Sequence, residues 1–254
     1  MLNLNDVAAG YGKTDVLHGL TLTFASGLLT AVVGPNGGGK STLLRVAAGL
    51  LKPSRGSVGL GGHDLFARPA AARARVLAYV SQRPVTAPDF SVIEVVRLGR
   101  FAAARSARED HLDRALGLMQ LTELADAPVG TLSVGQQQRV AVARALAQLD
   151  SGNSGRPVAL LADEPVAAMD PAQATATMRV LAEFAAAGNA VVVVLHDLSL
   201  AARFADRMAV IVGGRATASD STATLLEGEE LDRAFGATFL RVSDGGRTVG
   251  MVMR

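Results

Sequence analysis

Residues 34–42 read Gly-Pro-Asn-Gly-Gly-Gly-Lys-Ser-Thr, which sets Gly34, Gly39, Lys40 and Ser41 at the spacing of a P-loop. The spacing has a chemical reason. Gly34, Pro35, Asn36, Gly37, Gly38 and Gly39 can wrap a phosphate chain so that backbone N–H groups point inward at it. Lys40 adds a point charge for the β- and γ-phosphates, and the hydroxyl of Ser41, next to Thr42, can join the coordination of Mg²⁺. A helix beginning here aims its positive end at the same anion. A Gly-rich turn with an incidental lysine is the bland alternative, and the flanking pattern argues against it.

A second chemical centre follows an apolar run. Val158-Ala159-Leu160-Leu161-Ala162 leads straight into Asp163 and Glu164, with Pro165 stopping the strand. Two acids in a loop are usually solvated charges. At the end of a strand in a protein with a P-loop, they suit Mg²⁺-dependent phosphoryl transfer: Asp163 for the metal, Glu164 to orient and activate the attacking water. A third run, Ala190–Leu195, ends at His196-Asp197. A lone histidine is more often merely satisfied than catalytic. This one terminates a parallel strand, at the edge where such sheets bind ligands, and can sense the γ-phosphate. Finally, Leu132-Ser133-Val134-Gly135-Gln136 precedes an apolar-periodic helix from Gln137 to Leu146. Ser133 reads as an N-cap, yet Ser133 and Gly135 also make a second anion-binding helix start. A dimer in which each chain lends this site to its neighbour's nucleotide reconciles the two.

These residues need a sheet to position them. Leu28–Val33 is a buried-strand run ending at Gly34, and Leu43, Leu44, Val46, Ala47 and Leu50 recur at helical spacing until Gly49 and Pro53. Leu20, Leu22 and Phe24 alternate with threonines; Leu2, Leu4 and Val7 suggest a further strand. Val58–Leu60, Val76–Val80 and Met208–Val212 complete the apolar runs. Helical stretches between several of them predict an α/β fold with largely parallel strands. Val92 to Gln148 shows no strand pattern and reads as an inserted helical subdomain, and 151–155 as a flexible loop. The last thirty residues look like a short helix and a small hairpin.

The chain has 254 residues, 49% of them hydrophobic and 19% charged, enough for one large α/β domain or two small ones. A net charge of +2 does not imply nucleic acid. The pI of 9.4 rests on scattered arginines, since Lys13, Lys40 and Lys52 are the whole lysine complement. Cysteine is absent, which excludes disulfides and thiolate metal sites. No signal pattern opens the chain, and its apolar runs are strand-sized. We therefore expect a cytoplasmic protein that reaches a membrane only through a partner.

Taken in order, the motifs resemble those of the ATP-binding cassette (ABC) family across essentially the whole chain. The resemblance matches 34–42 to the Walker A motif, Leu132–Gln136 to the signature, Val158–Glu164 to Walker B and His196 to the switch histidine. It implies a P-loop NTPase (RecA-like) mixed-sheet core with an antiparallel β subdomain, covering 1–90 and 157–225, a helical subdomain at 91–150 and a C-terminal tail at 226–254. It further implies that Tyr11 stacks on adenine, that Gln82 is the Q-loop glutamine serving the metal and the membrane partner, and that Asp170 is the D-loop aspartate. ATP and Mg²⁺ would be the cofactors. The catalytic set would be Glu164, His196, Gln82 and Lys40, with Ser41, Gln82 and Asp163 at the metal and Ser133, Gly135 and Gln136 reaching the nucleotide of a second copy.

The sequence departs from the family pattern in places. Val134 replaces the signature's first glycine, whose loss would tighten packing and slow closure. Val166, Ala167 and Met169 stand where threonine, serine and leucine are usual. Tyr79–Arg100 and 196–202 resemble ATPases that import ferric siderophores, haem and cobalamin, and the extra residues at Asp150–Arg156 resemble an insertion of the haem-import members. Implied partners are a second copy, membrane permease subunits and, indirectly, a periplasmic or extracellular substrate-binding protein, with no nucleic acid. Three alternatives stay open: a soluble cassette ATPase in translation or DNA repair, an ATP-binding regulator without turnover, and an exporter component.

Overall fold

The structure is a computed structural model that describes residues 1–12, 14–83, 89–102, 111–149 and 158–254. At its centre is a six-stranded sheet. Its strands, in chain order, are β3 (Leu29–Val33), β6 (Leu77–Val80), β7 (Ala159–Asp163), β8 (Ala190–Val194), β9 (Arg207–Val212) and β10 (Arg215–Ser221). They lie side by side as β10-β9-β3-β8-β7-β6, and every pairing is parallel except β10 with β9. Every residue of β3, β7 and β8 is buried, which is why these strands read as unbroken apolar runs.

A second sheet is antiparallel, in the order β2-β1-β4-β5, from β1 (Leu2–Tyr11), β2 (Thr14–Phe24), β4 (Arg55–Leu60) and β5 (His63–Asp64). In the second half of β2, Leu20, Leu22 and Phe24 face inward and the threonines between them outward, so one face packs on the core and the other meets water. The mixed α/β architecture agrees with the expected fold class.

Helix α1 (Lys40–Ala47) follows β3 directly and buries Leu43, Leu44 and Val46. It ends at Ala47. Leu50, counted in its apolar stripe from sequence, lies beyond the helix and is exposed. Helix α2 (Ala70–Ala74) leads to β6. Between β6 and β7 the described residues hold α3 (Val92–Leu98), α4 (Leu112–Leu118) and α5 (Val134–Leu149), with short 3₁₀ turns and a single isolated bridge from Ser91 to Pro128. Helix α3 opens with a capping box: Ser91 accepts from the Glu94 N–H while the Glu94 carboxylate accepts from Ser91 N–H. Helix α5 starts three residues earlier than its periodicity suggests. The insertion expected at Asp150–Arg156 lies outside the described residues.

Helices α6 (Pro171–Ala186) and α7 (Leu198–Phe204) follow β7 and β8. The chain closes with α8 (Thr222–Glu227), α9 (Glu230–Phe235) and the hairpin β11 (Phe239–Asp244) and β12 (Arg247–Met253), matching the expected helix and hairpin. Arg241 fastens this hairpin, donating to the Leu226 carbonyl at 2.6 Å and to Asp232 Oδ2 at 2.8 Å.

Candidate active site

Strands β3, β7 and β8 are adjacent and end on the same side, so whatever follows each of them meets there. After β3 comes the loop 34–39, then α1. Gly39 caps α1 with no side chain, leaving the helix N–H groups open to a ligand. Residues 36–42, together with Val16, Gln82, Glu164 and His196, line an open cleft of about 580 Å³. Lys40 is 5% exposed, and its Nζ donates to the Gly34 carbonyl at 2.8 Å and the Pro35 carbonyl at 2.9 Å. Burial pulls its ammonium below the usual lysine range, and the nearby Glu164 and Asp163 carboxylates oppose that.

Asp163 is the last residue of β7 and is only 2% exposed. Burial pushes its carboxyl up; the Ser41 hydroxyl pulls it down, the Glu164 charge pushes it up and the Arg45 charge pulls it down. Tyr79 Oη donates to Oδ2 at a long 3.5 Å, whereas Oδ1 is buried without a hydrogen-bond partner. A buried, unmatched carboxylate oxygen beside a serine hydroxyl is what a divalent cation would satisfy. Among the described residues no cluster of three or more His, Cys, Asp or Glu could hold a metal by itself. That suits Mg²⁺, which takes one or two protein oxygens and draws its other ligands from phosphates and water.

Glu164 has the backbone in the left-handed region, with φ +51°, although it is not glycine. Its N–H donates to the Val194 carbonyl at 3.2 Å, and its Oε1 meets His196 Nε2 at 2.6 Å. With Glu164 ionised, the imidazole nitrogen is the donor. One carboxylate oxygen is then fixed and the other remains to accept a proton. Behind this pair lies a second cavity, of about 440 Å³, between α6 and α7. Val166, Ala167 and Met169 line it, so the two positions where hydroxyls were expected, Val166 and Ala167, face a mainly apolar space.

Other expected site residues are not in the cleft. Tyr11 is 48% exposed and does not line it; its hydroxyl accepts a bond from Arg45 Nη1 at 2.9 Å. Ser133 and Gln136 form a reciprocal cap on α5: Gln136 N–H donates to Ser133 Oγ at 3.3 Å, and Ser133 N–H to Gln136 Oε1 at 2.9 Å. Capping uses the Ser133 oxygen as an acceptor and leaves its O–H for another partner. Gly135 abuts the Ala168 carbonyl, 2.7 Å from where a Cβ would sit. Val134 is 61% exposed, so within one chain it tightens no packing. Asp170 caps α6, its Oδ1 accepting from Ala172 and Gln173 N–H.

Sequence reading passed over Val16, Tyr79 and Arg45. A signal existed for Arg45, which stands one helical turn after Ser41 and so on the same face of α1. Tyr79 lies on the strand before Gln82. Nothing in the sequence singles out Val16. No helix among the described residues is long and apolar enough to cross a membrane.

Known proteins resemble this chain over most of its length. The sequence profile described as "ABC transporter" matches residues 17–167. The Hemin import ATP-binding protein HmuV of Pseudomonas entomophila (strain L48) is 40% identical over 242 residues, covering 94% of each chain. The protein of the same name from Rhizobium meliloti (strain 1021) is 37% identical over 246 residues, covering 96% of this chain and 94% of its own. Among solved structures, the dimeric post-hydrolysis state of the ATP-binding cassette MJ0796 bound to ADP and Pi superposes with a TM-score of 0.77 at 28% identity. It covers 87% of this chain and 99% of its own.

Proposed function

The chain belongs to the ABC transporter family, and we propose that it is the ATP-hydrolysing subunit of an importer for haem or a related metal chelate. The observation that carries the chemistry is the 2.6 Å contact between Glu164 and His196 at the mouth of the P-loop cleft. The cargo reading rests on the hemin-import relatives, which match over nearly the full length of the chain.

ATP enters with its phosphates in the loop 34–39. Lys40 Nζ exchanges the Gly34 and Pro35 carbonyls for phosphate oxygens, whose charge compensates the hydration that burial takes from the ammonium. Ser41, Asp163 and Gln82 would hold Mg²⁺, which when bound neutralises charge on the β- and γ-phosphates. His196 keeps Glu164 turned toward the cleft, and the free oxygen of Glu164 accepts a proton from the attacking water. Ser133 and Gly135 do not line their own chain's cleft, and the MJ0796 cassette is dimeric. A second copy would therefore bring its Ser133 O–H and the start of its α5 to the γ-phosphate, with Asp170 contributing at the same interface. Tyr11 would turn to the adenine on binding. Phe90, exposed and close in sequence to Gln82, would contribute to the face for a membrane permease, which would hold the subunit on the cytoplasmic side of the membrane.

The test is Glu164→Gln in the chain assembled with its permease. It keeps the hydrogen bond to His196 but not the basic oxygen, so ATP should still bind and the dimer should persist while phosphate release falls at least about a hundredfold. Phosphate release at the native rate would remove Glu164 from the mechanism. Haem uptake by vesicles carrying the native pair, absent with Glu164→Gln, tests the cargo.

A further inference from the structure

Arg45 is exposed, lies outside the P-loop motif and has no part in the mechanism above, yet it bonds Tyr11 and its charge acts on Tyr79 and Asp163. Ser41 and Arg45 are one turn apart on α1 and share a face. Tyr79 on β6 pairs with Leu161 on β7, two residues short of Asp163, and alternate residues of a strand share a face. Helix and strand thus bring Arg45, Tyr79 and Asp163 to one place.

The hydrogen bonds there have a fixed direction. A guanidinium can only donate. Arg45 Nη1 donates to Tyr11 Oη at 2.9 Å, and its charge acts on the nearby Tyr79 hydroxyl and Asp163 carboxyl. An ionised carboxylate can only accept, so it is the Tyr79 O–H that donates to Asp163 Oδ2, across 3.5 Å. That ties one oxygen of the carboxylate and leaves Oδ1 as the buried one without a partner. We propose that Arg45 and Tyr79 are positioning residues which hold the Asp163 carboxylate with Oδ1 presented to the metal, and that Arg45 links this carboxylate to Tyr11 at the nucleobase end. The proposal rests on the reading of Asp163 as a metal-site residue. The chain has only two tyrosines, one bonded to the guanidinium and the other to the carboxylate.

The test needs no turnover. Mn²⁺ stands in for Mg²⁺, and binding of a non-hydrolysable ATP analogue to the full chain is measured in EDTA and in saturating Mn²⁺. The ratio of the two dissociation constants is the readout. Tyr79→Phe preserves the ring and removes only the donor, so the metal-free affinity should stay native while the ratio falls about threefold to tenfold. Arg45→Gln should lower the ratio by a similar factor. Asp163→Asn is the control for the underlying assignment. A native ratio in Tyr79→Phe, with a reduced one in Asp163→Asn, overturns the positioning role. A native ratio in Asp163→Asn overturns the metal role of Asp163 itself, and with it this proposal. Should Arg45→Gln fail to fold, Tyr79→Phe decides alone.

Discussion

Two glycines of the same loop should fail in opposite ways when replaced by alanine. Gly34 has φ +142°, and a Cβ there would sit 2.1 Å from the Ile211 carbonyl oxygen and 3.1 Å from its carbon. That oxygen belongs to β9, hydrogen-bonded neighbour of β3, so no side-chain rotation can clear it. The backbone conformation costs about 1–3 kcal/mol for an L-residue, and forcing a methyl into packed atoms adds about 1–3 kcal/mol. Gly34→Ala should therefore lose about 2–6 kcal/mol, a large share of a typical domain's stability. Gly37 has φ +74° but nothing within 4 Å of its missing Cβ, and it lines the cleft. Its conformational cost of about 1–2 kcal/mol is partly offset because alanine stiffens the unfolded chain by about 0.4–1 kcal/mol. Gly37→Ala should stay within about 1.5 kcal/mol of native stability, yet bind ATP at least about tenfold more weakly, since the methyl stands where phosphate approaches backbone. Urea unfolding followed by circular dichroism gives the first quantity, and a fluorescent nucleotide gives the second. The reasoning is refuted if Gly34→Ala lies within about 0.5 kcal/mol of native, or if Gly37→Ala is the less stable of the two.

Three further outcomes follow from the same geometry. His196→Ala removes the donor that aims Glu164, and should lower kcat of the permease-coupled ATPase about a hundredfold with nucleotide affinity unchanged; an equal loss in affinity would point to a binding role instead. The Phe239 N–H and the Arg241 guanidinium hold the Asp232 carboxyl below its ordinary 3.8. A depressed acid stabilises the fold above its unfolded value, and that contribution disappears as pH falls through the lower folded one. The stability gap between the native chain and Asp232→Asn, read by urea melts, should therefore be flat from neutrality to about pH 4 and close below it. Ser91→Ala breaks the capping box of α3 and should cost about 1 kcal/mol by calorimetry, with no effect if α3 is fixed by its buried face alone.

The sheet was legible wherever burial wrote an unbroken apolar run. Strands β3, β7 and β8 are covered on both faces, so apart from Thr30 and the terminal Asp163 their sequences are apolar throughout. Strand β10 was missed because Arg-Ala-Thr-Ala-Ser-Asp-Ser is an edge strand with little buried surface, held by its antiparallel partner β9 rather than by its own pattern. The two-residue β5 has no period to detect. Helix α1 was read too long for a related reason: Leu50 continues the apolar spacing, but the chain leaves the helix after Ala47 and nothing packs over that side chain. The P-loop was readable because its function is fixed by backbone conformation, and glycine and lysine spacing encode that directly. The partners of those residues were not readable. That Lys40 rests on two loop carbonyls, or that Tyr79 touches Asp163, depends on how elements distant in sequence lie against each other.

The pairing of Glu164 with His196 shows where local pattern ends and register begins. Strands β7 and β8 run parallel with Asp163 opposite Val194. The next residue, Glu164, still bonds to the Val194 carbonyl through its N–H, so the two chains part only after that point. Had Glu164 continued in extended conformation, strand alternation would have sent its side chain to the opposite face from Asp163. A φ of +51° breaks the alternation and brings the carboxylate to His196, two residues beyond Val194. Left-handed backbone at a long charged side chain costs about 1–3 kcal/mol, and such strain persists where the surroundings impose it. Here the imposing surroundings are the β8 carbonyl and the 2.6 Å bond to the imidazole. Neither is visible from Asp-Glu-Pro or His-Asp read separately. A one-residue slip between β7 and β8 would preserve both motifs and move the acid off its histidine. The register of two buried valine- and leucine-rich strands is therefore as much a part of the candidate site as the residues that line it.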